Sequence, residues 1–219
     1  MMEAVLEQVN QLLDGQKETM RRLGIVLQPD DLIKIAGTLL LDLEARMKQD
    51  PVSTSVALVF CSNAFKAICV YRVANYICSH HRHASDNNLL FAYQISEETA
   101  ARTSIEIHPS ARIGHSFVID HGIHTIIGAT AEVGDHCTLL HNVLLGARRI
   151  TNNKEGKRHP TLGNHVQVAS GVSILGPVNI GNHVMIGPGC TISKDVPDNS
   201  FIKLKKSMLI LNSGTSQIF

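Results

Sequence analysis

The sequence has almost no excess of charge of either sign. Its 219 residues include 20 Lys and Arg against 19 Asp and Glu, so the formal net charge is +1 with neutral histidines. Nucleic-acid-binding proteins usually gather a strong positive excess on one face, and the balance therefore predicts no nucleic-acid partner. Hydrophobic residues make up 44% of the chain, which predicts a globular protein and not a disordered one.

The sequence also has no CxxC pair, and we expect no signal peptide and no membrane-spanning helix. The five cysteines contain no CxxC pair and are odd in number, so we expect free thiols and a cytoplasmic protein. The first 16 residues are partly acidic and have no basic segment of the kind that opens a signal peptide. The most apolar stretch, 55–78, contains Lys66 and Arg72. Such charges are costly inside a bilayer, so we expect a buried helix and no membrane contact.

Residues 1–100 have the apolar spacing of α-helices. Apolar side chains recur every three or four residues over 6–27 and 30–49, and the run at 55–78 predicts a third helix. Asp30 and Asp31 fit the start of the second helix, and Asp50 with Pro51 fits its end. Residues 80–88, HHRHASDNN, are interpreted as a polar, solvated loop.

From residue 105 onward the apolar spacing changes to six. A period of six is typical of a hexapeptide parallel β-helix, in which three hexads close one triangular coil and the aliphatic residues stack inside. Glycine follows several of these residues, as expected at tight corners. The thirteen matching positions are Ile107, Ile113, Ile119, Ile127, Val133, Leu139, Leu145, Leu162, Val168, Ile174, Ile180, Ile186 and Ile192.

The sequence therefore predicts an α+β fold. An N-terminal α-helical domain over 1–100 precedes a left-handed parallel β-helix of hexapeptide repeats over 101–200, with a C-terminal tail over 201–219. The helical half would cover one end of the solenoid, which needs such a cap. Hexapeptide solenoids usually pack three around an axis, so we expect a homotrimer or a dimer of trimers.

Two breaks interrupt the period, and each contains a charged residue beside a histidine. The first, DHGIHT at 120–125, delays the next aliphatic residue by two positions. The second is the excursion ARRITNNKEGKRHP at 147–160. Residues that leave the stack are either tolerated loops or side chains held out for chemistry. The pairs Asp120-His121 and Arg158-His159 favour chemistry.

With these residues in place, the chain resembles the serine O-acetyltransferase family. The resemblance runs from Leu43 to Val196 and includes IDHG at 119–122 and RHP at 158–160, which are more specific than the generic hexapeptide motifs. Its other segments are QDP at 49–51, AICVYRVANYI at 67–77, IEIHPSARIG at 105–114, IIGATAEVGD at 126–135 and ILGPVNIGNHVMIGPGC at 174–190. The resemblance implies transfer of acetyl from acetyl-CoA to the hydroxyl of L-serine, a step of cysteine biosynthesis, without a metal.

The resemblance also implies roles for individual residues. His121 is the general base that takes the serine proton, and Glu106 stands where the family has an aspartate that orients this histidine. Arg158 binds the carboxylate of serine, Asp50 and Asp120 bind its ammonium, and His159 completes the pocket. The pantetheine arm of acetyl-CoA lies between subunits against small corner residues, which are Ser170, Gly171 and Gly187.

Several departures from the family pattern keep other hypotheses open. The second loop is longer and begins Gly146-Ala147-Arg148-Arg149, so the acceptor could be another hydroxyl, such as homoserine or a sugar of a polysaccharide. The chain ends in Phe and not in Ile, which gives no support for a complex with O-acetylserine sulfhydrylase. Two further alternatives are a zinc enzyme resembling γ-carbonic anhydrase, with His136 and His141 as ligands, and a non-catalytic assembly partner.

Overall fold

The computed structural model describes residues 1–80, 86–149, 151 and 155–205. The helices within these ranges are α1 Met2–Asp14, α2 Lys17–Leu23, α3 Pro29–Gln49, α4 Val56–Cys61, α5 Asn63–His80 and α6 Asp86–Thr103. Helix α3 ends at Gln49, as predicted, but begins at Pro29, before the predicted cap at Asp30 and Asp31. Pro29 occupies the first turn, the backbone N–H of Gln28 donates to Asp31 at 2.9 Å, and Asp50 follows the last helical residue.

The predicted helices differ from the observed ones at three further points. The first is divided at Gly15, and the third is divided at Ser62, whose backbone is extended. The interpretation of 80–88 as a loop is wrong at residue 80, which ends α5, and at residues 86–88, which open α6. Its part at 81–85 lies outside the described residues. Helix α6 buries Phe91 and Ile95 in the helical core, and this packing outweighs the polar character of its first turn.

The strands form a three-sided parallel solenoid of about five turns, as predicted. Sheet A has the order β1-β4-β7-β10-β13, sheet B β2-β5-β8-β11, and sheet C β3-β6-β9-β12-β14. The strands are β1 Ile105–Ile107, β2 Arg112–Ile113, β3 Val118–Ile119, β4 Thr125–Ile127, β5 Glu132–Val133, β6 Thr138–Leu139, β7 Leu144–Gly146, β8 Thr161–Leu162, β9 Gln167–Val168, β10 Ser173–Leu175, β11 Asn179–Ile180, β12 Met185–Ile186, β13 Thr191–Ile192 and β14 Phe201–Ile202.

The register confirms the six-residue period and both breaks. All thirteen predicted inward residues are buried, none of them more than 9% exposed. Ile119 pairs with Leu139, whereas Ile127 pairs with Leu145, so the turn that contains the first break is two residues longer than the next. The pair Phe201–Ile202 lies beside β12. The solenoid therefore continues into the segment predicted as a tail, of which 206–219 lie outside the described residues.

The corners of the solenoid form three edges, and each is named by the sheets that it joins. The CA edge consists of 120–124, 140–143, 169–172 and 187–190. The AB edge consists of 108–111, 128–131, 176–178 and the described part of 147–160. The BC edge consists of 114–117, 134–137, 163–166 and 181–184. The two breaks therefore lie on different edges, with sheet A between them.

A buried ion pair fastens the helical half to the first coil. Arg72 of α5 donates to both carboxylate oxygens of Asp42 in α3, at 2.8 and 3.0 Å. The same guanidinium donates to the carbonyls of Ile113 and Gly114, while Asp42 accepts the N–H of Phe117 at 2.8 Å. Both side chains are at most 7% exposed. The pair holds the frame of α3, whose C-terminal end then lies beside the first break.

Candidate active site

The first break holds His121 out of the stack on the CA edge. Its backbone has a φ of 61°, in the left-handed region that histidine tolerates better than branched residues. Gly122 follows with a φ of 76°, and a Cβ there would lie 2.6 Å from Ile119 and 2.7 Å from Ile105, so the turn requires glycine. The imidazole is 73% exposed, with Nε2 3.9 Å from Oδ2 of Asp120. A base placed in this way can reach a ligand on the CA edge.

Arg46 of α3, which the sequence reasoning missed, joins the two carboxylates assigned to the ammonium. Its Nη1 donates to Asp120 at 2.6 Å and its Nη2 to Asp50 at 2.7 Å. Hydrogen bonds from Ser53 and from the N–H of Val52, and then the Arg46 charge, hold the pKa of Asp50 below its usual value. Asp50 and Asp120 are therefore brought together as predicted, but with a cation already between them.

Arg158 and His159 lie on the AB edge, where Thr130 holds their backbone. Its Oγ1 accepts the N–H of Arg158 at 3.0 Å and that of His159 at 3.1 Å. The N–H of Thr130 in turn donates to Nδ1 of His159 at 3.1 Å. Thr130 was not predicted, because nothing in the local sequence marks it as different from other corner residues.

His159 is a neutral imidazole in this setting. Burial lowers its pKa to about 4, and the neighbouring cation of Arg158 and the ring of His108 add to the shift. Burial and Arg158 also lower the pKa of His108, a third residue that the sequence reasoning missed. Since Nδ1 of His159 accepts a hydrogen bond from Thr130, the hydrogen-bond pattern assigns its proton to Nε2. That N–H can donate to an oxygen of a bound acceptor.

Gly128 provides the space that the ring of His159 occupies. A Cβ added to Gly128 would overlap the imidazole of His159. From the sequence, the Ile-Gly dipeptide at 127–128 is only a corner. In the structure its glycine also makes room for His159, a candidate substrate-binding residue.

A single chain does not bring the two polar pairs together, since Asp120 and His121 lie on the CA edge and Arg158 and His159 on the AB edge. Glu106 is exposed on the outer face of β1 in sheet A. Partial loss of water around the carboxylate, and then the nearby charge of Glu97, raise its pKa. Among the residues that the structure describes, no hydrogen bond or ion pair joins Glu106 to His121. The predicted dyad is therefore not formed within one chain.

The three predicted cofactor residues follow His121 along the CA edge. The N–H of Gly171 donates to the carbonyl of His141 at 3.2 Å, and the carbonyl of Ser170 accepts the N–H of Gly189 at 3.0 Å. The N–H of Gly187 donates to Ile202 at 2.8 Å. These N–H groups are already used inside the solenoid, so a pantetheine arm on this edge would meet other backbone groups of the corners.

The two zinc ligands of the carbonic-anhydrase alternative lie on different edges. His136 belongs to the BC edge, where its ring stacks on that of His165 at 4.8 Å. His141 belongs to the CA edge, with its ring 6.1 Å from that of His121. Their five-residue spacing spans a whole side of the triangle, which separates them. In the described part of the chain, no group of three His, Cys, Asp or Glu side chains is arranged to hold a metal ion.

The described residues also bear on the expectations about the membrane and the cysteines. None of their helices combines the length and the apolar character that crossing a membrane requires. Cys61, Cys69, Cys78, Cys137 and Cys190 are all free thiols.

The pKa of His159 predicts a pH dependence of stability. The unfolded side chain has the ordinary value of 6.5 and the folded one about 4, so the unfolded state binds more protons between these values. Stability therefore falls as the pH drops from about 6.5 to about 4. In a His159→Gln variant the slope of unfolding free energy against pH should be shallower, by at most about 1.4 kcal/mol per pH unit. Thermal melts at a series of pH values measure this. The control is His124→Gln, which changes an exposed histidine and should keep the slope of the wild type. A slope in His159→Gln equal to that of the wild type would contradict the prediction.

Comparison with known proteins first defines the class. Residues 159–194 match the family described as bacterial transferase hexapeptide (six repeats). The fold is similar to that of a crystal structure of Entamoeba histolytica serine acetyltransferase isoform 3 in complex with cysteine. The TM-score is 0.74 at 25% identity, covering 97% of this chain and 72% of that one. For E. histolytica serine acetyltransferase 1 in complex with L-cysteine, the TM-score is 0.71 at 31% identity, with 93% and 74% covered. The protein is thus a hexapeptide-repeat transferase.

Sequence relatives narrow the class to one family. The chain is 34% identical over 176 residues to serine acetyltransferase of Bacillus pumilus, covering 79% of this chain and 76% of the relative. It is 37% identical over 161 residues to that of Helicobacter pylori, covering 72% and 88%. The chain belongs to the serine acetyltransferase family, and with it to the acetyl-CoA-dependent O-acetyltransferases.

Proposed function

We propose that the protein transfers the acetyl group of acetyl-CoA to the hydroxyl of L-serine, with His121 as general base. The observation that carries the proposal is the exposed imidazole on the CA edge, in line with the corners expected to bind acetyl-CoA. His121 takes the proton of the hydroxyl as its oxygen attacks the thioester carbonyl. The carbon–sulfur bond then breaks, and the imidazolium returns the proton to the thiolate of coenzyme A. Arg158 binds the carboxylate of serine, and His159 donates a second hydrogen bond from Nε2.

A site of this composition requires two copies of the chain. Sheet A lies between the two edges and exposes Ile126, while Ile123 beside it on the CA edge is 53% exposed. If three copies close around an axis with sheet A facing it, the CA edge of each lies next to the AB edge of its neighbour. This arrangement places Asp120 and His121 opposite Arg158 and His159 of the partner subunit. It also covers the apolar side chains. We therefore propose a homotrimer with shared sites. In this trimer Glu106 of one subunit can orient His121 of its neighbour.

Release of coenzyme A by purified protein tests the activity directly. Addition of L-serine should accelerate the release of coenzyme A from acetyl-CoA, and L-homoserine and a neutral sugar should have much smaller effects. Equal rates with and without L-serine would overturn the proposed substrate. A larger rate with another hydroxyl would favour the alternative acceptor suggested by the altered loop at 146–149.

Subunit mixing tests the shared site. His121→Asn and Arg158→Met variants should each be inactive alone, because each lacks one half of every site. When the two are coexpressed in equal amounts, each mixed trimer has one interface of three that combines an intact His121 with an intact Arg158. Over all trimers this is about a quarter of the interfaces, so about a quarter of the activity should return. Mixing after purification, without subunit exchange, is the control. No recovery in verified mixed trimers would show that both residues act within one chain.

A further inference from the structure

We propose that Arg46 is a specificity-determining residue, which competes with the ammonium group of the acceptor for Asp50 and Asp120. The inference rests on the proposed function, in which an amino acid binds beside His121. It adds a residue that neither the hexapeptide period nor the motifs marked by the resemblance include.

The geometry of Arg46 is that of a built-in counter-ion. Its side chain is only 12% exposed, and its two terminal nitrogens engage a different carboxylate each, Asp50 at 2.7 Å and Asp120 at 2.6 Å. Charge-assisted bonds of this length are strong. The planar guanidinium bridges both acids in a way that a single lysine ammonium cannot. Two acids and one arginine leave a net charge of −1 where two free carboxylates would give −2.

The other partners of Asp50 leave little room for a ligand. Its Oδ2 accepts from Arg46 and from the hydroxyl of Ser53 at 2.7 Å, and its Oδ1 accepts the N–H of Val52 at 2.9 Å. A carboxylate offers about four acceptor positions, so three of them are filled. One acceptor position remains, and an ammonium bound there would still share the carboxylate with the Arg46 cation.

Asp120 is the more accessible of the two acids. Its side chain is 36% exposed, and the oxygen not used by Arg46 lies on the side of His121, 3.9 Å from Nε2. An ammonium that reaches Asp120 shares this carboxylate with Arg46, since the two cations are drawn to the same charge. An acceptor with a hydroxyl and a carboxylate but no amine avoids this repulsion. Arg46 therefore weakens binding of amino acceptors selectively.

The test compares two acceptors that differ only in the amine. KM is measured for L-serine and for 3-hydroxypropanoate at saturating acetyl-CoA in the wild type, Arg46→Met and Arg46→Lys. In Arg46→Met the KM for L-serine should fall by about tenfold, the order expected for one charged hydrogen bond, while that for 3-hydroxypropanoate should change less than about twofold. Arg46→Lys should give an intermediate value for L-serine, because lysine keeps the charge and loses the fork. Lys48→Met, an exposed lysine in the same last turn of α3, is the control and should match the wild type.

Binding measurements separate this inference from the proposed function. Calorimetric titration of L-serine and of 3-hydroxypropanoate yields Kd without turnover, so the comparison holds even if no acetyl transfer to serine is found. Inactivity with serine would overturn the function alone. A Kd or KM for L-serine that rises in Arg46→Met, or equal changes for both acceptors, would overturn the competition. If Arg46→Met does not fold, Arg46→Gln provides the same comparison, because it removes the charge and keeps a hydrogen-bond donor.

Discussion

A His121→Asn variant is expected to lose about two to four orders of magnitude in kcat, the usual contribution of a general base. Asparagine is the appropriate replacement because the backbone at this position has a φ of 61°, a conformation that asparagine also adopts readily. The loss therefore reports on the missing imidazole and not on a strained loop. Steady-state rates of coenzyme A release with L-serine measure it. The KM values should change much less than kcat, since the base acts as the bond forms.

The same break provides a matched control. His124 is also exposed, and its φ of 62° is nearly the same, but no role is assigned to it. His124→Asn should keep kcat within about twofold of the wild type, because it touches none of the proposed groups. A loss below about tenfold in His121→Asn, with normal assembly, would rule out this residue as the base. Comparable losses in the two variants would point to the loop conformation instead.

An Arg72→Met variant is expected to lose about 3–5 kcal/mol of unfolding free energy, the range found when one partner of a buried ion pair is removed. The change leaves the charge of Asp42 buried without its counter-ion and takes the donors away from the carbonyls of Ile113 and Gly114. Denaturant unfolding measures this loss. The protomer concentration is kept constant, because assembly contributes to stability. Activity should fall along with stability, since α3 holds Asp50.

Two further variants show whether the loss comes from the pair. Arg112→Met removes an exposed arginine whose contact with Glu132 is 3.9 Å, and it should cost less than about 1 kcal/mol. An Asp42→Leu/Arg72→Met double variant should recover part of the loss, because no uncompensated charge is then buried. Additive losses in the double variant would mean that the two side chains act independently, which would contradict the stabilising role of the Arg72–Asp42 ion pair.

Most of the solenoid could be predicted because its rule is local. Each hexad repeats the same inward aliphatic residue, and the structure confirms all thirteen positions and both interruptions. The prediction agreed less closely with the structure in the helical half. Its overall helical character was correct, but the division at Ser62 and the helix α6 depend on packing between distant segments. Helical periodicity alone does not contain that information.

The site divides in the same way. His121 and His159 could be chosen as candidates because they stand where the period fails. Arg46 could not, because its contact with Asp120 joins residues 74 positions apart, and only its spacing of four from Asp50 is visible in the sequence. Thr130 and His108 are ordinary corner residues until the second loop folds over them. Sequence reasoning thus locates the groups that leave a repeat more easily than the groups that hold them.

Each corner bonds chiefly to the corners directly above and below it, so extra residues at a corner displace no strand. Thr138 still pairs with Gln167 across the long second excursion, and Ile186 with Ile202 beyond it. A solenoid of this kind can therefore gain, lengthen or lose a corner loop without a change in its strand pairing. Selection can therefore change the chemistry of this fold through one corner loop at a time, while the stacked strands stay unchanged.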